Sequence, residues 1–321
     1  MPDTKYGFST TTDELLDKRD LTGQRVLITG ASAGLGVETA RTLAAHGASV
    51  VMCVRDLDKG ERAAVIVRTD AMPHAAVEVR ELDLASLASV RTCADALLAE
   101  GQPINVLIAN AGVMAAPQGK TTDGFETQFG TNHLGHFVFV NKLVPLVVAG
   151  APSRIVVLAS SGHRFSDVDL DDPNFERIAY DPWVAYGRSK TANVLFAVAL
   201  DERLRKRGVR VCALHPGGIH TELSRHMTPD VLQGLMSRMP KDAPPYTFKT
   251  IPQGAATSIW AGFIADAEEV GGHYCEDCAV AEPNADAGFS SGVRPYAVDP
   301  ERAEALWARS EELVGERFPL T

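Results

Sequence analysis

The sequence has few cysteines, and they follow no regular spacing. Five occur in 321 residues: Cys53, Cys93, Cys212, Cys275 and Cys278. An odd, scattered set is not the pattern of a disulfide framework and favours a reducing compartment, so we predict a cytoplasmic location. Cys275 and Cys278 form a C-x-x-C pair, but no second pair supplies the remaining ligands of a tetrahedral zinc site. We predict no bound metal and interpret the pair as a loop near a strand end.

Long apolar runs and an excess of basic residues are also missing. No stretch approaches the roughly 18 apolar residues that cross a membrane, and the first twenty residues lack the basic start and apolar core of a signal peptide. The 31 Lys and Arg against 41 Asp and Glu give a net charge of −10, which repels phosphodiester backbones and anionic lipid surfaces. We therefore expect neither a membrane span nor a nucleic-acid partner.

Short β-branched runs alternate with longer segments of helical period, which predicts βαβ crossovers and one α/β domain with a doubly wound parallel sheet. The strands are almost wholly apolar, as expected when helices cover both faces of a sheet. Strands are predicted at residues 26–29, 49–54, 77–80, 106–109, 155–159, 209–214 and 273–275. Helices are predicted at residues 35–46, 58–69, 87–99, 125–148, 185–207, 253–264 and 301–319.

Two segments lie outside this alternation. Residues 1–22 precede the first strand, and we expect an exposed N-terminal arm in which Thr12 begins a short helix; residues 23–321 form the single domain. Residues 216–252 contain six prolines and three glycines, so they are predicted to be a lid-like insertion with at most one or two short helices.

A glycine-rich turn follows the first strand and runs directly into a helix. Gly30, Gly34 and Gly36 are spaced G-x-x-x-G-x-G, with Ser32 and Leu35 between them. Glycines allow close approach of the backbone to a pyrophosphate, and the free N–H groups at a helix start hold negative charge. The turn predicts a dinucleotide site; an ordinary tight turn is the alternative.

The end of the second strand indicates which dinucleotide is bound. An NAD site places Asp or Glu there to bind both ribose hydroxyls, whereas this chain has Val54 followed by Arg55. An arginine can pair with a 2′-phosphate and stack on adenine, so we predict NADP(H) in preference to NAD(H). The alternative is a solvated arginine paired with Asp56 or Asp58.

Tyr186 and Lys190 lie four residues apart, which places a phenol and an ammonium on the same face of one helix. A nearby cation is expected to lower the pKa of a phenol, which then exchanges a proton with a carbonyl or alcohol oxygen. The spacing by itself also describes an ordinary surface pair.

Taken in order, the glycine turn at 29–36, Asn110-Ala111-Gly112, Ser160 after a strand, Tyr186/Lys190 and Pro216-Gly217 resemble the short-chain dehydrogenase/reductase family. The likeness runs from about residue 21 to 265 and implies a sheet of about seven strands. The motifs Thr-Asn-His-Leu-Gly-His-Phe at 131–137 and Ser-Gly-His-Arg-Phe at 161–165 are similar to the retinol-dehydrogenase and WW-domain-oxidoreductase branch.

The resemblance implies a role for each catalytic position. Ser160 would bind the substrate oxygen, Tyr186 would be the general acid/base, Lys190 would hold the nicotinamide ribose, and Asn132 would anchor a water in a proton relay. Ser161 remains the alternative to Ser160. The further cofactor-binding positions that the resemblance implies are Asp83, Leu84, Asn110, Ala111, Gly112, Pro216, Gly217 and Thr221. Asp83 and Asn110 have the alternative of being turn or cap residues.

Two sets of side chains have open interpretations. The histidines at 133, 136, 163, 215 and 220 lie on different predicted elements, so core or surface positions are favoured over a metal site. The insertion contains apolar side chains that either line a ligand pocket or pack the insertion onto the core. These are Met227, Leu232, Leu235, Met236 and Met239.

The expected function is NADP(H)-dependent interconversion of a lipophilic ketone or aldehyde and an alcohol. The alternatives are a non-catalytic NADP(H) sensor or scaffold, and an enone reductase or epimerase on the same fold. The resemblance also implies a homodimer or homotetramer formed by pairing the helices predicted at 125–148 and 185–207.

Overall fold

A computed structural model describes residues 5–238, 247–285 and 291–320. Eight strands form one sheet in the order β3-β2-β1-β4-β5-β6-β7-β8, parallel from β3 to β7. The strands are β1 Arg25–Thr29, β2 Ser49–Val54, β3 Val77–Glu81, β4 Val106–Ala109, β5 Ser153–Leu158, β6 Val209–His215, β7 Tyr274–Glu276 and β8 Ala279–Val280. This confirms the predicted doubly wound fold, with eight strands in place of about seven.

Eleven α-helices surround the sheet in the described part of the chain. They are α1 Thr12–Leu16, α2 Gly34–Ala45, α3 Leu57–Asp70, α4 Leu87–Glu100, α5 Thr127–Phe129, α6 Gly135–Ala149, α7 Pro182–Leu204, α8 Pro229–Met236, α9 Ile251–Ile259, α10 Ala267–Val270 and α11 Pro300–Val314. A π-helical turn at Gly130–Leu134 joins α5 to α6 within the predicted helix at 125–148, and a second follows α9 at Trp260–Ile264. 3₁₀ turns lie at Ser161–Phe165, Arg205–Arg207, Glu222–His226 and Pro295–Val298.

The sheet separates two apolar layers. Leu27 and Leu107 face the layer built with α4, α6, α7 and α11, whereas Ile28 and Ile108 face the layer built with α2, α3 and α9. Successive side chains of a strand point to opposite faces, and here each face is covered, so every residue of β1 is buried. This explains why the inner strands β1, β2, β4, β5 and β6 are mostly apolar, whereas β3 at the edge of the sheet carries charged residues.

The strand order reverses between β1 and β4. From β1 the chain moves outward to β2 and β3, then crosses to β4 and continues in the other direction. Ligand crevices in such sheets open at the carboxyl ends of the two strands flanking the reversal. Gly30 follows β1 and Asn110 follows β4, so both lie at this crevice.

The N-terminal segment is packed, not exposed. Thr11 caps α1 in a capping box with Glu14, and Leu15 and Leu16 of α1 are buried in the core layer that contains α2 and α9. The expectation of an exposed arm is wrong over these residues, because the two leucines complete the apolar cover of α2.

Helix α11 covers α6 and α7. Trp307 lies 5.0 Å from the ring of Phe137 on α6 and 6.0 Å from that of Phe196 on α7. The guanidinium of Arg203 lies 4.0 Å from the Trp307 ring centroid, and Phe318 packs on Phe137 at 5.5 Å. The resemblance implies that these two helices pair with a second copy of the chain. A second copy cannot pack on the face of α6 and α7 that α11 already covers.

The C-x-x-C pair forms the turn of a hairpin. Cys275 lies in β7, and the two residues after that strand, Asp277 and Cys278, have φ values of 50° and 57° before the chain returns as β8, antiparallel to β7. Both central residues have positive φ, as in the turns that suit a two-residue hairpin. The turn is made without glycine, so β8 has no turn signal in the sequence.

None of the described helices combines the length and apolar character needed to cross a bilayer.

Trp307→Ala is expected to lower the free energy of unfolding by about 3–5 kcal/mol, because truncating a buried aromatic leaves a cavity between α6, α7 and α11. Urea titration followed by circular dichroism measures the loss. Val65→Ala on α3 is the control: Val65 is 61% exposed, and its truncation should change stability little. Equal losses in the two variants would contradict the packing role of α11.

Candidate active site

The glycine turn lies at the start of α2. Ala33 is the N-cap and provides no side-chain hydrogen bond, so the first N–H groups of this twelve-residue helix are available to an anion. A Cβ on Gly36 would lie 2.4 Å from the carbonyl oxygen of Gly30, and one on Gly30 would lie 2.7 Å from Cα of Ala111. Both glycines are required by the close approach of backbone segments.

A cleft of about 510 Å³ adjoins this turn. It is lined by Ser32 and Gly34 from the turn, by Lys59 and Arg62 from α3, and by Ile251 at the start of α9, among others. An uncapped helix N-terminus beside two basic side chains fits the phosphates of a dinucleotide. Leu35 follows Gly34 in the first turn of α2 and is partly buried.

The residues after β4 are tied to the glycine turn. The side-chain amide of Asn110 donates to the carbonyl oxygen of Thr29 at 2.8 Å, and the N–H of Ala111 donates to the Thr29 hydroxyl at 3.0 Å. A Cβ on Gly112 would lie 3.2 Å from Asn132 Oδ1 and 3.6 Å from Lys190 Nζ. The segment 110–112 therefore contacts the end of β1 through Asn110 and Ala111. At Gly112 it lies next to Asn132 and Lys190.

The residues expected around the adenosine lie at the ends of β2 and β3. Val54 is buried, and Arg55 is exposed beyond it. Asp56 accepts the N–H of Lys59 and caps α3, and within the described residues no ion pair joins Arg55 to Asp56 or Asp58. Asp83 accepts the N–H of Ala85 at 3.0 Å in a turn after β3, and the neighbouring Leu84 packs against Gly135.

Asn132 lies in the π-helical turn before α6 and is fully buried. Its Oδ1 accepts the N–H of Val113 at 2.8 Å, and its Nδ2 donates to Val113 O and to Ser189 Oγ, both at 2.9 Å. Ser189 in turn donates to the carbonyl oxygen of Tyr186 at 2.8 Å. Both amide hydrogens of Asn132 are thus engaged by protein atoms, and the side chain joins the 110–113 segment to α7.

Ser160 ends the loop after β5. Its hydroxyl accepts the N–H of Gly162 at 3.0 Å and caps the following 3₁₀ turn, and its Oγ would lie 3.4 Å from a Cβ on Gly162. A Cβ on Gly162 would lie 2.6 Å from the Tyr186 ring, so only glycine allows the turn to approach the phenol this closely. The turn therefore brings the Ser160 hydroxyl close to the Tyr186 ring.

Tyr186 and Lys190 both lie in the interior of the protein on α7. Burial raises the pKa of Tyr186 to about 12, and the hydrogen bond with Ser160 opposes that rise. Burial lowers the pKa of Lys190 to about 7; its Nζ donates to Leu158 O at 3.0 Å and lies 5.8 Å from the Tyr186 ring centroid. Burial thus shifts the pKa of the Tyr186 phenol upward, in the direction opposite to the lowering expected from the Lys190 ammonium.

The first part of the insertion reaches the glycine turn. Thr221 caps a 3₁₀ turn, and its Cγ2 would lie 3.1 Å from a Cβ on Gly34. Glu222, the next residue, forms an ion pair with Lys59 on α3. Residues 221–222 therefore contact both α2 and α3, next to residues that line the cleft.

Pro216 and Gly217 begin the insertion and rest on a buried lysine. Gly217 has a φ of 101°, and a Cβ there would lie 2.8 Å from Cδ of Lys249. Lys249 forms an ion pair with Asp277 at 2.5 Å, and its side chain is 1% exposed. Sequence reasoning missed Lys249, since nothing in its local sequence indicates a buried charge.

The ring of Tyr186 belongs to an apolar cluster, which we call the apolar wall. It consists of Ala115, Trp183 and Tyr186, with partly buried side chains packed against them: Met114, Phe165, Met227, Val231 and Leu235. The indole N–H of Trp183 donates to the carbonyl oxygen of Val231 on α8 at 2.9 Å. Among the insertion residues singled out from the sequence, Met227 and Leu235 join this wall, Leu232 and Met236 are exposed, and Met239 lies outside the described residues.

The histidines of the two family-like motifs are buried and hydrogen-bonded. His163 Nδ1 lies 2.7 Å from Ser160 O, and its Nε2 accepts the N–H of Arg294 at 3.1 Å. Burial lowers the pKa of His163 to about 4, so the ring is neutral. His163 thus fastens the Ser160 loop to the C-terminal segment, a role that the sequence analysis did not assign. Within the described residues no cluster of three or more metal-ligating side chains is found.

Comparisons with known proteins agree with this arrangement. The family described as short chain dehydrogenase matches residues 24–231. Human retinol dehydrogenase 14 is 41% identical over 305 residues, covering 91% of this chain and 87% of that protein. Human WW domain-containing oxidoreductase is 38% identical over 322 residues, covering 98% and 73% respectively. The crystal structure of a putative uncharacterized protein from Mycobacterium Paratuberculosis superposes with a TM-score of 0.72 at 37% identity, covering 97% of this chain and 99% of that one.

The chain therefore belongs to the short-chain dehydrogenase/reductase family. Within it, the chain belongs to the branch of the retinol dehydrogenases and the WW domain-containing oxidoreductase. Both the family and the branch predicted from the motifs are confirmed.

Lys190→Met is expected to make the folded protein more stable below about pH 7, because it removes a buried ammonium. Folding lowers the pKa of Lys190 from 10.5 to about 7, so the unfolded chain binds more protons than the folded protein between these pH values. The free-energy cost of burying the ammonium in wild type therefore falls as pH rises through that range. Urea unfolding at pH 6.5 and pH 10 measures the difference from wild type. A gain that does not shrink at pH 10 would contradict the burial of a charged group.

Proposed function

We propose that this protein is an NADP(H)-dependent oxidoreductase that interconverts a lipophilic ketone or aldehyde and the corresponding alcohol. The observation that carries the proposal is the close approach of Ser160 and Tyr186 at the carboxyl edge of the sheet, beside an apolar wall: a Cβ on Gly162 would lie 2.6 Å from the Tyr186 ring and 3.4 Å from Ser160 Oγ. A protonated phenol next to a hydroxyl can bind a carbonyl oxygen and donate a proton to it.

Tyr186 is the general acid in carbonyl reduction. Burial keeps its phenol protonated at neutral pH, which is the form that a reductase needs. In alcohol oxidation the same residue must accept a proton, so that direction should become faster as pH rises. Ser160 donates a second hydrogen bond to the substrate oxygen, and Asn132 and Ser189 hold the backbone of α7 in place.

The glycine turn, Asn110, Ala111 and Gly112 hold the dinucleotide, with Arg55 at its adenosine end. When bound, the nicotinamide supplies or accepts the hydride. Lys190 holds the nicotinamide ribose, and Asp83 and Leu84 border the adenine. Pro216, Gly217 and Thr221 cover the nicotinamide end. Val54 leaves no carboxylate for the ribose hydroxyls, whereas Arg55 provides a cation for a 2′-phosphate.

The apolar wall favours a lipophilic substrate. Trp183, Phe165 and Met227 offer aromatic and thioether surface next to the phenol, and methionine adapts to ligands of varied shape. The substrate class is therefore hydrophobic ketones, aldehydes and secondary alcohols.

All five cysteines are unpaired and buried, which suits the reducing environment of the cytoplasm. A homodimer or homotetramer has to use a surface other than the face of α6 and α7 that α11 covers.

Tyr186→Phe should lower kcat by about 10²–10⁴-fold, the usual contribution of a general acid, while the Kd for NADPH stays nearly unchanged. The assay follows NADPH and NADH oxidation against a panel of aromatic, aliphatic and terpenoid ketones and aldehydes. Tyr6→Phe, a change at a residue outside the site, serves as the control and should keep wild-type turnover. If Tyr186→Phe reduces the same substrates at the wild-type rate, Tyr186 is not the acid; a protein that binds NADPH and reduces no carbonyl would instead indicate a sensor.

Arg55→Ala should raise the Kd for NADPH by about 10- to 100-fold, since a hydrogen bond to a charged group contributes about 1.5–3 kcal/mol. The Kd for NADH, which lacks the 2′-phosphate, should remain unchanged. Quenching of tryptophan fluorescence measures both constants. Arg205→Ala, at the far end of α7, is the control for loss of one positive charge. Equal weakening of NADPH and NADH would overturn the assignment of Arg55 to the 2′-phosphate.

A further inference from the structure

His136 connects the two ends of the site through its ring. It lies on α6, one helical turn after Asn132, and is 1% exposed. Its Nδ1 is 2.9 Å from the carbonyl oxygen of Asn132, and its Nε2 is 2.8 Å from the hydroxyl of Thr29. Thr29 is the last residue of β1 and immediately precedes Gly30. The His136 side chain therefore contacts both the π-helical turn that contains Asn132 and the end of β1, which leads into the glycine turn.

The direction of each hydrogen bond in this chain of contacts is determined. A carbonyl oxygen only accepts, so Nδ1 carries the hydrogen. Burial lowers the pKa of His136 to about 4, and the ring is neutral, so Nε2 accepts from the Thr29 hydroxyl. The Thr29 oxygen is then left to accept, and it accepts the N–H of Ala111 at 3.0 Å. The hydrogen bonds run from Ala111 through Thr29 and His136 to Asn132.

Each end of this chain of contacts touches a different part of the site. Ala111 belongs to the segment that borders the dinucleotide. Asn132 is tied by its side chain to Val113 and Ser189, and through Ser189 to the backbone of Tyr186. Thr29 and Asn132 are fully buried, so a residue that could not bond at 136 would leave the Thr29 hydroxyl hydrogen without an acceptor, at a cost that exceeds the value of an ordinary hydrogen bond.

From this geometry we infer that His136 is a positioning residue that fixes the Asn132 turn relative to the dinucleotide-binding end of β1. The inference rests on the proposed function and deepens it. Through Thr29 and Ala111 the ring supports binding of the dinucleotide, and through Asn132 it supports the geometry of Tyr186. These two contributions use different ring nitrogens, so they can be separated by substitution.

Two amide variants of His136 separate its contribution to dinucleotide binding from its contribution to the geometry of Tyr186. The amide nitrogen of His136→Asn lies near the position of Nδ1 and can bond Asn132, but it does not reach Thr29. The longer His136→Gln places its amide near Nε2 and retains Thr29 while losing Asn132. We expect His136→Asn to raise the Kd for NADPH by about fivefold with kcat nearly unchanged, and His136→Gln to lower kcat by about fivefold to tenfold with Kd nearly unchanged, as the loss of one hydrogen bond implies.

His133→Asn is the matched control. His133 lies in the preceding helical turn and is equally buried, but its Nε2 contacts Ser310 on α11 at 2.8 Å and not the site. This variant should lose thermal stability without separating kcat from Kd. If His136→Asn and His136→Gln change kcat and Kd in the same proportion, in step with their melting temperatures, His136 has only a structural role and the inference is wrong.

Thr29→Val provides a second test at the residue that His136 Nε2 contacts. It replaces the hydroxyl by a methyl group of similar size, so the Kd for NADPH should rise as in His136→Asn. Combined with His136→Asn, it should add little to the effect of Thr29→Val alone, because both remove the same contact. Full additivity would overturn the inference.

NADPH binding and carbonyl reduction by the wild-type protein distinguish a failure of the proposed function from a failure of the inference about His136. If wild type binds NADPH but reduces no carbonyl in the panel, the carbonyl chemistry fails, and the Kd values of the Asn and Gln variants still decide whether His136 positions the dinucleotide site. If wild type binds neither NADPH nor NADH, the proposed function fails and the inference fails with it.

Discussion

Helix α7 carries Tyr186 and Lys190 through the interior of the protein, and removal of both side chains from water controls their charge. Burial holds the phenol protonated and lowers the pKa of the ammonium to about 7. Buried polar groups need hydrogen-bond partners, and the neighbouring elements supply them: Leu158 at the end of β5 accepts from Lys190, and Asn132 donates to Ser189. The positions of the strand ends and of the π-helical turn follow from this requirement.

Much of the fold could be predicted because parallel strands covered on both faces must be apolar throughout. The bounds of β2 and β4 agree with those expected, and the other predicted strands differ by one or two residues at one or both ends. The elements that were missed depend on tertiary contacts. Strand β8 follows a turn made by Asp277 and Cys278 without glycine, and α1 is packed because Leu15 and Leu16 find an apolar surface on α2 and α9, which no local pattern reveals.

The residues of the candidate site could be found from motifs, but their electrostatics could not. Spacing placed Tyr186 and Lys190 on one face of a helix, and the structure also brings Ser160, Asn132 and Gly112 to them. The direction of the Tyr186 pKa depends on how deeply α7 is buried, which the Tyr-x-x-x-Lys spacing does not contain. In the same way, His136 and His163 are ordinary residues in the sequence, and their ring contacts with Thr29 and Arg294 join positions that are 107 and 131 residues apart.

The described part of the insertion contacts both regions in which ligands are proposed to bind. At one end Thr221 meets Gly34 and Glu222 pairs with Lys59; at the other, Val231 and Leu235 of α8 pack beside Trp183. A displacement of this segment that alters one region therefore alters contacts in the other. The affinities of the dinucleotide and of the apolar substrate are then linked through one segment of chain, and such linkage is reciprocal: whatever factor the first ligand applies to the second, the second applies to the first.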